Sequence, residues 1–155
     1  PVHLGSMAYA MSCIVSAIDW QPGDMVILND PYLGGTHLPD VTLIGPLHQG
    51  GKLAAFVVNR AHHADIGAEA PGSMPISSSL EQEGLVIEPV HIQRRGELDR
   101  RLLDQIVART RNPDESRGDF AAQIRVSCAL VRRVPRKFGM GLVLRQMISF
   151  WIQNS

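Results

Sequence analysis

A chain of 155 residues with 45% apolar and 19% charged side chains is long enough to bury one hydrophobic core, and this composition excludes a disordered polymer. Lys plus Arg and Asp plus Glu number 15 each, so charge gives no argument for a nucleic-acid or anionic-membrane surface; the one basic cluster, Arg132, Arg133, Arg136 and Lys137, reads as a solvated helix end. No apolar run approaches the roughly 20 residues that span a bilayer and no secretory leader is visible, so the expected setting is the soluble cytoplasm.

In chain order, Ser6 is placed to cap a helix over residues 7–18, where Met7, Ala10, Met11, Ile14, Val15 and Ile18 recur at three- and four-residue intervals until Pro22-Gly23 stops it. Met25-Val26-Ile27-Leu28 reads as a short buried strand, and residues 29–40, with two Pro and two Gly, read as a loop. Residues 41–47 and 52–58 flank His48-Gln49-Gly50-Gly51, the pattern of an antiparallel hairpin with Gly in the turn. Residues 68–79 form a long Gly, Pro and Ser-rich loop placed to act as a lid or substrate loop. A further strand is expected over residues 85–92, interrupted at Pro89. Residues 98–109 have helical periodicity with Leu98, Leu102, Ile106 and Val107 on one face, and residues 117–133 repeat it until Pro135. Residues 139–151 are apolar and poor in charge, and are expected to pack on residues outside this sequence. Cys13 and Cys128 lie in apolar, helix-like contexts where a free thiol packs as a small core residue. The expected fold is α+β: a mixed or antiparallel sheet whose hairpin carries the site loops, flanked by helices. Residues 1–95 form the α/β site-bearing region and 96–155 a helical C-terminal region.

Chemistry concentrates in two Gly-punctuated segments, Asn29 to Asp40 and Asn59 to Gly67, which together hold three of the six histidines and three carboxylates. Imidazole with carboxylate is the donor set of Zn, Mn, Fe or Mg, not of a thiolate site. His37 and Asp40 are three residues apart, as are His62 and Asp65, and in a tight turn both members of such a pair face one point. A lone histidine is most often a hydrogen-bonded loop residue; two His-x-x-Asp pairs within 29 residues are harder to explain that way. The hairpin brings the residues before its first strand and after its second to the same end, so His37 and Asp40 are expected near His62 and Asp65. On residues alone, Asp40 is equally a turn residue and Asp65 a helix or turn cap, and Asp30 before Pro31 makes an Asx turn or opens the site loop. His63 is either a proton carrier or a residue facing solvent or a carbonyl. His48 and His91 receive no chemistry. Gly34-Gly35 is a weak phosphate turn, since neither a P-loop nor a GxGxxG before a helix is present.

The segments Pro1 to Met7, Gly23-Asp24, Asn29 to Asp40, Asn59 to Gly67, Pro71 to Pro75, Glu83 to Leu85 and Arg117 to Asp119 run in order over most of residues 1–125. In these segments the chain resembles the hydantoinase B family, which includes the matching half of ATP-dependent 5-oxoprolinase and, more distantly, a subunit of acetone carboxylase. Because Pro1 opens inside a motif and family members are much longer, the resemblance implies a partial hydantoinase B domain, an N-terminal-side portion of the whole. It implies that His37 and His62 coordinate a divalent ion (Zn, Mn or Fe) with a carboxylate lying upstream of Pro1, that Asp40 and Asp65 bind the ion or orient the imidazoles, and that Asp65, Asp40 or His63 moves protons. His3 stands in one of the matching motifs and is expected to approach the site. ATP is expected to be used by a partner, a hydantoinase A-type subunit or domain that phosphorylates the carbonyl oxygen of a lactam or cyclic imide, after which the hydantoinase B part completes opening of a hydantoin or 5-oxoproline ring within a hetero-oligomer. Two other readings stand beside this one. The first is an ATP-dependent carboxylase of the acetone or acetophenone type, although Gly34-Gly35-Thr36-His37 and Arg60-Ala61-His62-His63 match the hydrolase pattern more closely. The second is a catalytically silent piece with a structural or assembly role.

Overall fold

The computed structural model describes Ser12, residues 14–68 and 77–133, and the backbone of residues 148–150. The expectations that fall on His3, Cys13, most of the first helix, most of the Gly, Pro and Ser-rich loop and most of the apolar C-terminal stretch therefore lie outside the described residues.

Four consecutive apolar residues, Met25–Leu28, form strand β1, and all of them are buried. An unbroken apolar run of this kind needs a sheet covered on both faces. β1 lies inside the sheet, between β2 (Asp40–Gln49) and β4 (Val90–Arg94), and pairs antiparallel with both. Strand β3 (Lys52–His62) continues the sheet beyond β2, and the two-residue β5 (Glu97–Leu98) ends it beyond β4. These five strands pair antiparallel, while β6 (Ile148–Phe150) runs parallel along β3 and makes the sheet mixed.

The hairpin is longer and its turn tighter than the sequence reading had them. β2 and β3 pair from Gln49 opposite Lys52 to Asp40 opposite His62, so only Gly50 and Gly51 connect them. Both glycines have positive φ, +59° and +78°, which is the left-handed geometry that a two-residue hairpin turn requires. Asn59, Arg60, Ala61 and His62 consequently lie on β3 itself and not on a loop following it.

Alternation along the strands sorts the two cores. Met25, Ile27, Val41, Leu43 and Ile92 face helices α2 (Arg100–Val107) and α3 (Pro113–Arg133), where they pack with Leu103, Ile106, Phe120 and Ile124. Val26, Leu28 and Ile44 face the other way, against Ile14 and Trp20, with Phe56 and Val58 packed at the margin. Residues 14–17 are helical, as expected of that stretch, and the Trp20 ring meets Phe56 edge-on at 4.9 Å.

Several boundaries differ from expectation for local reasons. The strand expected over residues 85–92 is confined to β4, after Pro89, whose missing N–H cannot join a ladder. The short helix α1 (Leu80–Glu83) precedes that irregular stretch. α2 starts only after Asp99, whose carboxylate accepts from Leu102 N, so Leu98 belongs to β5, and Leu103 takes a buried place with Ile106 and Val107. α3 begins at Pro113 instead of Arg117, because a proline in the first turn lacks only an N–H that the helix does not use. Cys128 is a free, half-buried thiol packed against the first core. Among the described residues no helix is long and apolar enough to cross a membrane.

Candidate metal centre

At the open end of the β2–β3 hairpin, away from the Gly50-Gly51 turn, Asp40 and His62 are direct cross-strand partners. His37 reaches the same point from the preceding loop, because the chain turns back at Pro39 and Asp40 N donates to His37 O at 3.0 Å. His37 Nε2 and His62 Nδ1 each lie 3.0 Å from the same carboxylate oxygen, Asp40 Oδ1, and the two rings are 5.2 Å apart at an angle of 31°. One donor atom from each of the three residues lies within 4.8 Å of the others, the arrangement of a group that could hold a metal ion. Asp40 is 7% exposed while His37 and His62 are 32% and 30% exposed, so the carboxylate forms the floor and the imidazoles an accessible rim.

The loop that delivers His37 is fixed at several points. Asp30 makes an Asx turn, its side chain accepting from Tyr32 N at 2.8 Å, and Gly34 closes the short 3-10 turn over Pro31–Leu33 with a φ of +98°. At Gly35 any Cβ would collide with Asn29 O, so no other residue fits that crossing without moving backbone. Asn29, fully buried, ties the loop to the chain beyond it: its side-chain amide donates to Leu38 O and Leu85 O, and its carbonyl oxygen accepts from Ile87 N. Thr36 Oγ1 donates to Asp40 Oδ2 at 2.9 Å, which leaves Oδ1 to the imidazoles.

Arg60 lies beneath this group and is buried. Its Nε donates to Thr42 Oγ1 and its Nη2 to Gly34 O, both at 2.9 Å. Loss of hydration lowers its pKa, and the negative charge of Asp40 opposes that shift.

The other two proposed participants point elsewhere. Neighbouring residues of an extended chain project to opposite faces, and His63 accordingly turns toward α3, stacking on Phe120 with ring centroids 4.2 Å apart. Gln123 Nε2 donates to Val41 O, which orients its Oε1 to accept from His63 Nε2 at 2.9 Å. Asp65 acts as the cap that residues alone allowed: Oδ1 accepts from Gly67 N at 2.8 Å and Oδ2 from Arg111 N at 2.6 Å. The hairpin thus brings together His37, Asp40 and His62, and not Asp65 or His63. His91 packs against Trp20, with Nε2 at 3.5 Å from Asp24, and His48 is half-buried far along β2.

Burial lowers the pKa of His63, with the Gln123 hydrogen bond opposing. Its folded pKa therefore lies below that of the unfolded chain, which takes up the proton first as pH falls past about 6.5. The contribution to stability is complete above that pH and declines on acidification. Unfolding midpoints measured from about pH 7.5 down to about pH 5.5 are expected to fall, and to fall less steeply in His63→Phe. Equal slopes in the two proteins would contradict this.

The Hydantoinase B/oxoprolinase family model matches residues 1–154. An uncharacterized protein of Methanocaldococcus jannaschii is 42% identical over 132 residues, covering 80% of this chain and 23% of its own length. The 5-oxoprolinase of Dictyostelium discoideum is 34% identical over 149 residues, 92% of this chain and 12% of its own length. The crystal structure of ATP-dependent caprolactamase from Pseudomonas jessenii superposes with a TM-score of 0.78 at 30% identity, covering 85% of this chain and 23% of that one. The chain thus spans less than a quarter of the length of each of these relatives.

Proposed function

The chain belongs to the hydantoinase B/oxoprolinase family, and from that premise we propose that it forms part of the hydantoinase B portion of an ATP-dependent cyclic-amide hydrolase. The reaction is opening of a lactam or cyclic imide ring such as 5-oxoproline, a hydantoin or caprolactam, in a cytoplasmic hetero-oligomer. ATP is bound and spent by a hydantoinase A-type subunit or domain.

The observation that carries this reading is the meeting of His37 and His62 on one oxygen of Asp40. Two imidazoles and one carboxylate suit Zn, Mn or Fe, and the rim position of both rings leaves the point they share open to a substrate. The proposed donor set takes its carboxylate from Asp40, so it does not depend on one from upstream of Pro1. A divalent ion held there supplies Lewis acidity toward a carbonyl-derived oxygen or an attacking water.

The remaining chemistry belongs to the chain's own groups. Thr36 fixes the carboxylate by binding Oδ2. Asp40, shared between two imidazoles, is the group assigned to hand on a proton. His63 and Asp65 act as anchors: one ties the end of β3 to α3, the other ties the chain beyond it to the backbone ahead of α3.

Full chain combined with an ATP-hydrolysing hydantoinase A-type partner is expected to convert 5-oxoproline, a hydantoin or caprolactam to the ring-opened amino acid or carbamoyl product, with ATP required and bicarbonate without effect. A carboxylated product that appears only with bicarbonate would instead establish the acetone-type carboxylase.

A further inference from the structure

Arg60 is 5% exposed, and the functions assigned above make no use of it. Burying a guanidinium is costly unless its donors are satisfied, and here two of them bind particular oxygens from two other parts of the chain. Nε binds Thr42 Oγ1 on β2, and Nη2 binds the Gly34 carbonyl on the site loop. Each of these three residues stands close in sequence to one member of the metal-binding group: Gly34 is three residues before His37, Thr42 two after Asp40, and Arg60 two before His62. Arg60 and Thr42 are also cross-strand partners, in the same relation as Asp40 and His62 two residues further along the hairpin. The fork of Arg60 therefore joins the three segments that deliver the three ligands, directly beneath the point where they converge.

We infer that Arg60 is a positioning residue for the metal centre, its guanidinium pinning the loop at Gly34 and strand β2 at Thr42 so that His37, Asp40 and His62 are held at the spacing one ion requires. This rests on the reading of that group as a metal site given above. The planar guanidinium is essential to the role. A lysine keeps the charge but presents its donors from a single nitrogen, and it cannot hold two oxygens along the two directions that Nε and Nη2 serve. Thr42 shares the role as the acceptor on β2.

The test is ion affinity of the full chain, measured by competition of Zn or Mn against a chromogenic chelator, beside thermal unfolding in excess chelator. Arg60→Lys and Arg60→Met are each expected to bind the ion about ten- to a hundredfold more weakly than the unsubstituted chain. Thr42→Val, which removes one anchor and keeps the charge, is expected to weaken binding about tenfold, and it decides the matter if both Arg60 variants fail to fold. A residue that only supported the fold would lower the unfolding temperature and leave ion affinity unchanged. Unchanged affinity in a folded Arg60→Lys or Thr42→Val variant therefore overturns the inference and leaves the metal centre standing. An unsubstituted chain that binds no ion overturns the metal centre, and the inference with it.

Discussion

Asp40→Asn is expected to lower divalent-ion affinity by about a hundredfold or more and to abolish ring opening in the complex with an ATP-hydrolysing partner. The substitution changes almost nothing in shape. It removes the one negative charge shared by His37 and His62 at 3.0 Å, and it offers an ion a neutral amide in place of a carboxylate. Thr36 retains an acceptor in the amide oxygen, so the loop keeps its link to β2 and the chain should remain folded. Chelator competition and turnover measured on the same preparation check this. Native affinity in the variant would mean that the carboxylate serves only the turn at Pro39.

Asn29→Ala is expected to destabilise the chain by about 3–5 kcal/mol, measured by urea unfolding. The side chain is fully buried and satisfies three backbone groups, Leu38 O, Leu85 O and Ile87 N. Truncation strands all three, each at a cost of roughly 1–3 kcal/mol, and water entering the cavity recovers part of that. The same bonds hold the far end of the loop that carries His37, so weaker ion binding should accompany the lost stability. A cost near or below about 1 kcal/mol would show that the loop is held mainly by its glycine turns and by Arg60.

What could be read from the residues was whatever rests on local pattern. Met25–Leu28 announced a buried strand because four apolar residues in a row need two covered faces, and the paired glycines announced the hairpin. The hairpin alone implied that His37 and Asp40 lie near His62 and Asp65, since its strands must end together; His37, Asp40 and His62 do meet, and Asp65 does not join them. Asn59, Arg60 and His62 concealed the last third of β3, the end away from the turn, from a hydrophobic count: they are polar, yet they are held in place by Ser127, Thr42 and Asp40, contacts that only the folded chain brings about. The same limit hid Asn29 and Arg60. The one available sign was position, a polar residue closing an apolar run and a charge set within a strand, and that sign does not name a partner. The two His-x-x-Asp spacings looked alike but sit in different surroundings. The first closes a turn onto β2, whereas the second leaves the strand toward the start of α3, so Asp65 caps backbone N–H groups there. His63 was separated from His62 by strand alternation, a consequence that became visible once the strand was known to reach His62.

The most direct test is the metal content of the purified full chain by elemental mass spectrometry, beside a His37→Ala, His62→Ala double variant shown to be folded. The account predicts close to one Zn, Mn or Fe per chain, lost in the double variant. A folded, unsubstituted chain that takes up no divalent ion, or a variant that retains it in full, would contradict the assignment of His37, Asp40 and His62 as the metal centre.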